Sequence, residues 1–507
     1  MLSRKSREVS ITLATRLQSL PQVTIAVPAD GPMEDAAVKK LARLTVSVQN
    51  TSSVTGFLHA ALVRVGKKYF LLAGPSGIGK SSYAAHLGAA FDAEVVASDW
   101  VAIEREDRRY YASDLNFAQS IRHRKRCLLT GIIFLTNNRM LDRDAATPND
   151  VEFQGLLRET FDTATKQQLA KLDSFWLHNK EQLPFCCALP ARRKPEMYIA
   201  QTLEHLVRKA SAKSAPMSVG VVGTGAIGSE LAFQLGQLPF VDTVHLFNRS
   251  TDTAKGFALD MNHGAASDTS AHTFVAHTTA KEVFEQASVV FLTFRDETIP
   301  PQADLPERWR KLPGHLAAIK EYAQLAEETQ FGGTIFVVTN PVDILTYALY
   351  AHSQKGRHPL RTYQVYGVGL EVDAARALAY GKEIHPGLTM QDITLYGNHT
   401  DSFALKTPLP AASHRELAEA VKGASTEVRK YVPRTVYGPV AAIVKTFTAY
   451  AQNLPVHATI LQENAHMGRK VYFKHGLPKV GLPPDDLQYA TILQDNQEAI
   501  ANYKHLM

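Results

Sequence analysis

The chain has 507 residues, enough for two to four domains at roughly 100–200 residues each. Apolar residues make up 45% and charged residues 21%, which excludes a largely disordered, collagenous or disulfide-stapled chain. The 55 Lys and Arg outnumber 49 Asp and Glu by a net charge of +6, an excess too weak to argue for a nucleic-acid partner. The longest apolar run, Leu128–Leu135, is strand-sized and falls short of the roughly 18 residues that span a bilayer. The three cysteines, Cys127, Cys186 and Cys187, form no CxxC pair. A reduced cytosolic compartment without structural zinc follows. The opening MLSRKSREVS carries charge with no apolar core behind it, so no secretory signal is expected and the expected location is cytoplasmic.

In chain order, His59–Val65 and Lys68–Ala73 read as two strands of a hairpin turning at Gly66-Lys67. The second runs into Gly74-Pro75-Ser76-Gly77-Ile78-Gly79-Lys80-Ser81, a full GxxxxGK[ST] match, and Ser81–Leu87 starts a helix. Strand, glycine-rich loop and helix are the context a phosphate loop needs. Its expected contacts are Gly74, Ser76, Gly77, Gly79 and Ser82 around the phosphates of ATP. Lys80 would neutralise the β/γ charge and the Ser81 hydroxyl would reach Mg²⁺. The next strand, Glu94–Val101, carries Asp99, a second candidate for ATP and for Mg²⁺.

These residues resemble the HPr kinase/phosphorylase and phosphoenolpyruvate-carboxykinase-like fold over roughly residues 55–140. The resemblance rests on His59, on the loop Gly74–Ser81 and on Asp99. That family carries adjacent aspartates where this chain has Ser98-Asp99. The resemblance therefore implies ATP binding and puts phosphoryl transfer in doubt. The basic run Arg122-His123-Arg124-Lys125-Arg126 reads as a solvated edge, with a phosphate contact as the alternative.

Val207–Ser218, VRKASAKSAPMS, is small and basic with a late proline, the tail of a helix entering a linker. Residues 1–210 are therefore read as the P-loop domain with a helical tail, and 211–217 as the linker. From Ser218 onward apolar strands alternate with amphipathic helices, which points to a parallel α/β sheet. The strand Ser218–Val222 leads into Gly223-Thr224-Gly225-Ala226-Ile227-Gly228 and the helix Ser229–Leu235. This is the dinucleotide fingerprint in its proper place, with Gly223, Gly225, Ala226, Ile227 and Gly228 toward the pyrophosphate. The next strand, Thr243–Phe247, ends in Asn248-Arg249-Ser250, where an NAD site usually carries an acid. A guanidinium and hydroxyl suit a 2′-phosphate, so NADP is the expected cofactor and NAD the second choice.

Four later segments together resemble the lactate/malate dehydrogenase family over about residues 218–505. They are Gly256–Gly264, Thr339-Asn340-Pro341-Val342-Asp343, Val372-Asp373-Ala374-Ala375-Arg376, and Gly397-Asn398-His399-Thr400-Asp401-Ser402. The resemblance places Asn340 beside substrate and nicotinamide. Thr400 departs from the family's usual Gly. The chemistry also follows from the residue types. A 2-hydroxy acid needs its carboxylate fixed and its hydroxyl proton removed as hydride leaves carbon. Arg376 offers a planar fork for the carboxylate, three residues from Asp373 and on the same helix face. His399 belongs to the residue type that titrates near neutrality and can take and return the proton, with Asp373 orienting its ring.

The family also carries an arginine on a mobile lid, which implies a carbonyl-polarising residue between Phe294 and Leu312. Arg295, Arg308 and Arg310 lie there. Arg308 is preferred because His315 follows seven residues later, where the family has Asn, and Arg310 is second. Thr435 resembles the family's pocket Thr/Ser.

The expectation is an α/β chain: an N-terminal P-loop kinase-like domain fused to a Rossmann-type lactate/malate dehydrogenase-like domain (218–365) with an α+β substrate-binding part (366–507). Its expected activity is NAD(P)-dependent interconversion of a 2-oxoacid and a 2-hydroxyacid, beside an ATP-binding domain. A small carboxylate is the expected substrate, with no nucleic-acid or membrane partner. Family resemblance implies a homodimer or homotetramer. The alternative is a kinase of a small molecule or protein serine, regulated by a dinucleotide-sensing dehydrogenase-like half.

Overall fold

The computed structural model describes residues 6–11, 23–28, 44, 47–49, 51–53, 55–91, 93–97, 100–106, 109–114, 127–136, 148, 150–161, 164–179, 183, 185–190, 199–200, 202–204, 206–207, 217–267, 272–296, 299–301, 309–399, 402–462, 464–481 and 487–503. Ser98, Asp99, Arg308, Thr400, Asp401 and the basic run 122–126 lie outside them. The chain divides into two compact units, Met1–Ala212 and Lys213–Met507.

In the first unit, β1 (Ser6–Ile11) and β2 (Val23–Pro28) form a separate antiparallel pair. The main sheet begins with β3 (Thr55–Val65), which turns through residues 66–67 into antiparallel β4 (Lys68–Ala73). β3 thus starts four residues before the expected His59. Helix α1 (Lys80–Phe91) follows the glycine-rich loop. The expected strand Glu94–Val101 is divided into β5 (Glu94–Ala97) on β3 and β6 (Trp100–Glu106), which continues to β7 (Arg109–Asp114). Strand β8 (Cys127–Thr136) pairs antiparallel with β7 and parallel with β4, which brings the end of β4 into the middle of a mixed sheet.

Helices α2 (Asp150–Thr160) and α3 (Lys166–Asn179) pack over this sheet through Phe153, Phe175 and Trp176, all fully buried. The region read as a helical tail also contains a strand. β9 (Phe185–Pro190) lies parallel to β8, because Cys186, Cys187, Ala188 and Leu189 are buried in an apolar run too short for a helix but long enough for a central strand. All three cysteines are buried thiols outside any disulfide.

The second unit contains β10 (Met217–Val222), α4 (Ala226–Gly236), β11 (Val241–Phe247), α5 (Thr251–Ala266), β12 (Thr273–His277), α6 (Ala280–Gln286), β13 (Val289–Leu292), α7 (Leu312–Glu328), β14 (Thr334–Val337), α8 (Val342–Ser353) and β15 (Val365–Gly367). The strands run parallel in the order β12-β11-β10-β13-β14-β15, the doubly wound arrangement with a crevice where strand order reverses beside β10. Helices cover both faces, so the strands are apolar on both sides rather than alternating. Val290 and Leu292 of β13 join the core beneath α6, α7 and α8, while Val289 and Phe291 join the core beneath α4 and α5. Each such buried side chain contributes roughly 1.5–3 kcal/mol.

The sheet continues without a break. After α9 (Leu370–Ile384) come β16 (Thr394–Gly397), β17 (Phe403–Lys406), α10 (Ala411–Arg429), α11 (Tyr437–Gln452), the hairpin β18 (Pro455–Gln462) and β19 (Ala465–Lys474), β20 (Leu477–Val480) and α12 (Leu487–Tyr503). β18 joins β15 at Thr459↔Gly367, making one sheet of eleven strands. Among the described residues, no helix is long and apolar enough to cross a membrane.

Candidate active site

A cavity of about 670 Å³ opens at the carboxyl ends of β10, β11, β13 and β14. Its lining runs from Gly223, Gly225, Ala226 and Ile227 to Asn340, Arg376, His399 and Thr435. The start of the fingerprint loop and Asn340, Arg376, His399 and Thr435 therefore share one cavity.

Each fingerprint glycine has a physical reason. Gly223 adopts φ +104°, and a Cβ there would stand 2.6 Å from the Phe294 Cα. At Gly228 a Cβ would stand 1.9 Å from the Gly223 carbonyl oxygen, so only glycine lets α4 pack onto the loop. Gly225, the N-cap of α4, has nothing within 4 Å of its Cβ position and no side-chain cap. The cavity thus meets bare backbone at a helix N-terminus, a cradle that fits the pyrophosphate of a nicotinamide dinucleotide.

At the end of β11 all three polar residues already have partners. The Asn248 amide donates to Thr224 Oγ1 at 2.8 Å, and its oxygen accepts from the Ser250 N–H at 3.0 Å. Ser250 caps α5 by accepting from the Thr253 N–H. The Arg249 guanidinium is paired with the buried carboxylate of Asp296. That hydrogen bond, with the neighbouring charge, raises the Arg249 pKa above its ordinary value against the cost of burial. The guanidinium expected to meet a 2′-phosphate lines the cavity but already has a carboxylate partner. A carboxylate from the loop after β13 already holds it, a pairing across sequence that no local pattern reveals.

At the other end, α9 carries Asp373 and Arg376 one turn apart. Asp373 is buried and divides its oxygens: Oδ2 lies 2.7 Å from His399 Nδ1, and Oδ1 accepts from Arg376 Nη1 at 3.0 Å. A carboxylate can only accept, so His399 carries its proton on Nδ1 and Nε2 is left to exchange one. The backbone of His399 is fixed as well. Its N–H donates to Asp343 Oδ2 at 3.0 Å, and Thr459 donates to Asp343 Oδ1 at 2.7 Å. Asp343 lies in the first turn of α8 and is buried. Burial pushes its pKa up to about 6, against the pull of these two hydrogen bonds. Gly369 packs directly on the histidine, since a Cβ there would lie 2.4 Å from His399 Cβ.

Among the lid candidates, Arg295 is exposed and lines the cavity, while Arg310 is exposed and outside the lining. Arg308, the preferred candidate, is outside the described residues. Arg429 and Arg434 also line the cavity, a cationic contribution from α10 and the segment after it that the sequence reading passed over. His315 Nδ1 donates to the Asn340 carbonyl oxygen at 2.9 Å, and His315 also lines the cavity.

The glycine-rich loop of the first unit has its own geometry. Gly77 and Gly79 take φ +76° and +99°, conformations that L-residues with side chains avoid. Lys80 is buried, and its Nζ donates to the carbonyls of Gly74 and Pro75, both at 2.9 Å. Ser76, Ser81 and Ser82 are exposed. His59 is buried in β3 with its ring stacked on Trp100 at 6.0 Å. Among the described residues no group of three or more metal-ligating side chains occurs.

Comparison with known proteins agrees with the second unit's architecture. Residues 217–360 match the family model of the lactate/malate dehydrogenase NAD binding domain. The malate dehydrogenase of Archaeoglobus fulgidus is 26% identical over 244 residues, which are 47% of this chain and 78% of that protein. The L-lactate dehydrogenase of Halalkalibacterium halodurans is 27% identical over 265 residues, 48% of this chain and 81% of that one. Among solved structures, a lactate dehydrogenase from a Medee basin deep-sea metagenome library superimposes with a TM-score of 0.51 at 18% identity, covering 58% of this chain and 99% of that chain. That likeness shows the fold.

Proposed function

We propose that the second unit is a nicotinamide-dinucleotide-dependent oxidoreductase interconverting a 2-oxoacid and a 2-hydroxyacid. The observation that carries this reading is the Asp373–His399 pair at 2.7 Å, with Arg376 on the same carboxylate, in the cavity that begins at Gly223 and Gly225. A dinucleotide bound at that glycine loop supplies the hydride acceptor or donor. His399 takes the substrate hydroxyl proton on Nε2 during oxidation and returns it to the carbonyl oxygen during reduction. Asp373 keeps the ring in the Nδ1–H form and stabilises the imidazolium once Nε2 is protonated. Arg376 fixes the substrate carboxylate through the donors it does not give to Asp373. Asn340 and Thr435 border the same space and Arg295 adds positive charge. The test is a screen of 2-oxoacids with NADH and NADPH followed by nicotinamide absorbance. No turnover with any 2-oxoacid, in protein that binds dinucleotide, rejects the reaction.

The first unit we read as an Mg·ATP-binding domain related to the HPr kinase-like fold, on the strength of the glycine-loop conformation and of Lys80. Lys80 would leave its two loop carbonyls for the β/γ-phosphates, and Ser81 would offer its hydroxyl to the metal. Whether the bound nucleotide is transferred depends on Ser98 and Asp99. The reading favours binding over rapid transfer.

A further inference from the structure

Two charges meet at the rim of the cavity from strands distant in sequence. Arg249 follows β11, lines the cavity and keeps 49% of its side chain exposed, while Asp296 follows β13 with 5% exposed. The Asp296 carboxylate also rests on the first turn of α7, where Oδ1 lies 3.2 Å from the Cβ position of Gly314. It is held between a guanidinium and a helix N-terminus, both favourable to negative charge. Asn248 and Ser250 are engaged with Thr224 and Thr253. Discrimination at this end of the cavity therefore falls on the Arg249–Asp296 pair.

We propose that Asp296 is a specificity-determining residue for the dinucleotide, neutralising Arg249 so that the site accepts the ribose diol of NAD at least as well as the 2′-phosphate of NADP. The inference rests on the reading of this cavity as a dinucleotide site. An arginine alone at the end of the second strand attracts a 2′-phosphate, and a carboxylate there repels it and accepts from the ribose hydroxyls. A pair presents both. An arriving phosphate meets a guanidinium whose counter-charge is already beside it, so its Coulomb gain is reduced. The acid that an NAD site usually carries on β11 is thus supplied by the loop after β13, with Arg249 as its contact to the cavity.

The experiment measures dissociation constants of NADH and NADPH for the full-length protein by titration of nicotinamide fluorescence, without substrate. Wild type is expected to bind NADH no more weakly than NADPH. Asp296→Asn keeps the shape, removes the charge and frees Arg249. It should move the NADH/NADPH preference toward NADPH by about tenfold or more. Arg249→Ala leaves the Asp296 charge uncompensated beside the cavity and should move the preference the opposite way, and Asp296→Asn added to Arg249→Ala should restore part of that loss. A wild type that clearly prefers NADPH overturns the proposal without any variant. So does a folded Asp296→Asn protein whose preference stays within twofold of wild type. If wild type binds neither dinucleotide, the cavity reading falls and this proposal with it; binding of both with the wrong preference overturns the proposal alone.

Discussion

Asp373 Oδ2 lies 2.7 Å from His399 Nδ1, and the other oxygen of the same carboxylate is taken by Arg376 at 3.0 Å. One buried side chain thus sets the orientation of both the imidazole and the guanidinium. His399→Ala should lower turnover by about 10²–10⁴-fold, the usual worth of a positioned acid/base, while NADH or NADPH affinity is retained. Asp373→Asn should lower turnover in the same direction, since an amide can donate to Nδ1 and permit the other tautomer. Steady-state kinetics together with dinucleotide titration checks both, and wild-type turnover in either variant removes that residue from the mechanism.

Arg376→Gln should raise KM for the 2-oxoacid by about 10–100-fold, the loss expected for hydrogen bonds between charged partners. Arg376→Lys keeps the charge without the planar fork and should recover only part of the loss. Dinucleotide affinity should not move in either variant. An unchanged KM would assign the substrate carboxylate to Arg295, Arg429 or Arg434 instead.

The Asp343 carboxyl, pushed up to about 6 by burial, gives a pH dependence of stability with a definite sign. Its folded pKa lies above the unfolded value of about 3.9, so the folded state holds the proton more tightly. The resulting stabilisation is fully present below about pH 4 and is lost as pH rises through about 6. Asp343→Asn can still accept the His399 N–H and meet Thr459, and it carries no titration. Denaturant melts of the two proteins between pH 4 and 7 should diverge by roughly 3 kcal/mol, wild type losing ground as pH rises. Parallel curves would show that Asp343 does not titrate in this range.

Lys80→Ala should abolish Mg·ATP binding by the full-length protein, because the triphosphate loses its main cationic partner. Calorimetry decides it. No heat from wild type at millimolar nucleotide would make the glycine loop purely structural. Rapid phosphorylation of a generic protein serine would contradict the expectation of weak or acceptor-selective transfer, and would show that Asp99 suffices beside Ser98.

Local sequence located the motifs better than it located the sheet that joins them. The strand–loop–helix units around Gly223–Gly228 and Gly74–Ser81 were legible because glycine at fixed spacing between a strand and a helix is a short-range pattern. Asp373 and Arg376 were legible together because three residues on a helix form one turn. The strand Phe185–Pro190 was not, since an apolar run of six residues becomes a strand only when β8 offers it an edge. Nor could the chain order show that β15 and β18 join into one sheet through Gly367 and Thr459. The tertiary structure alone decided three contacts: Asp343 against the His399 backbone, His315 against Asn340, and Asp296 against Arg249. Each joins residues far apart in the chain. Sequence states which charges exist, but a guanidinium is free or neutralised according to what folding places beside it, and for Arg249 that is a carboxylate from the loop after β13.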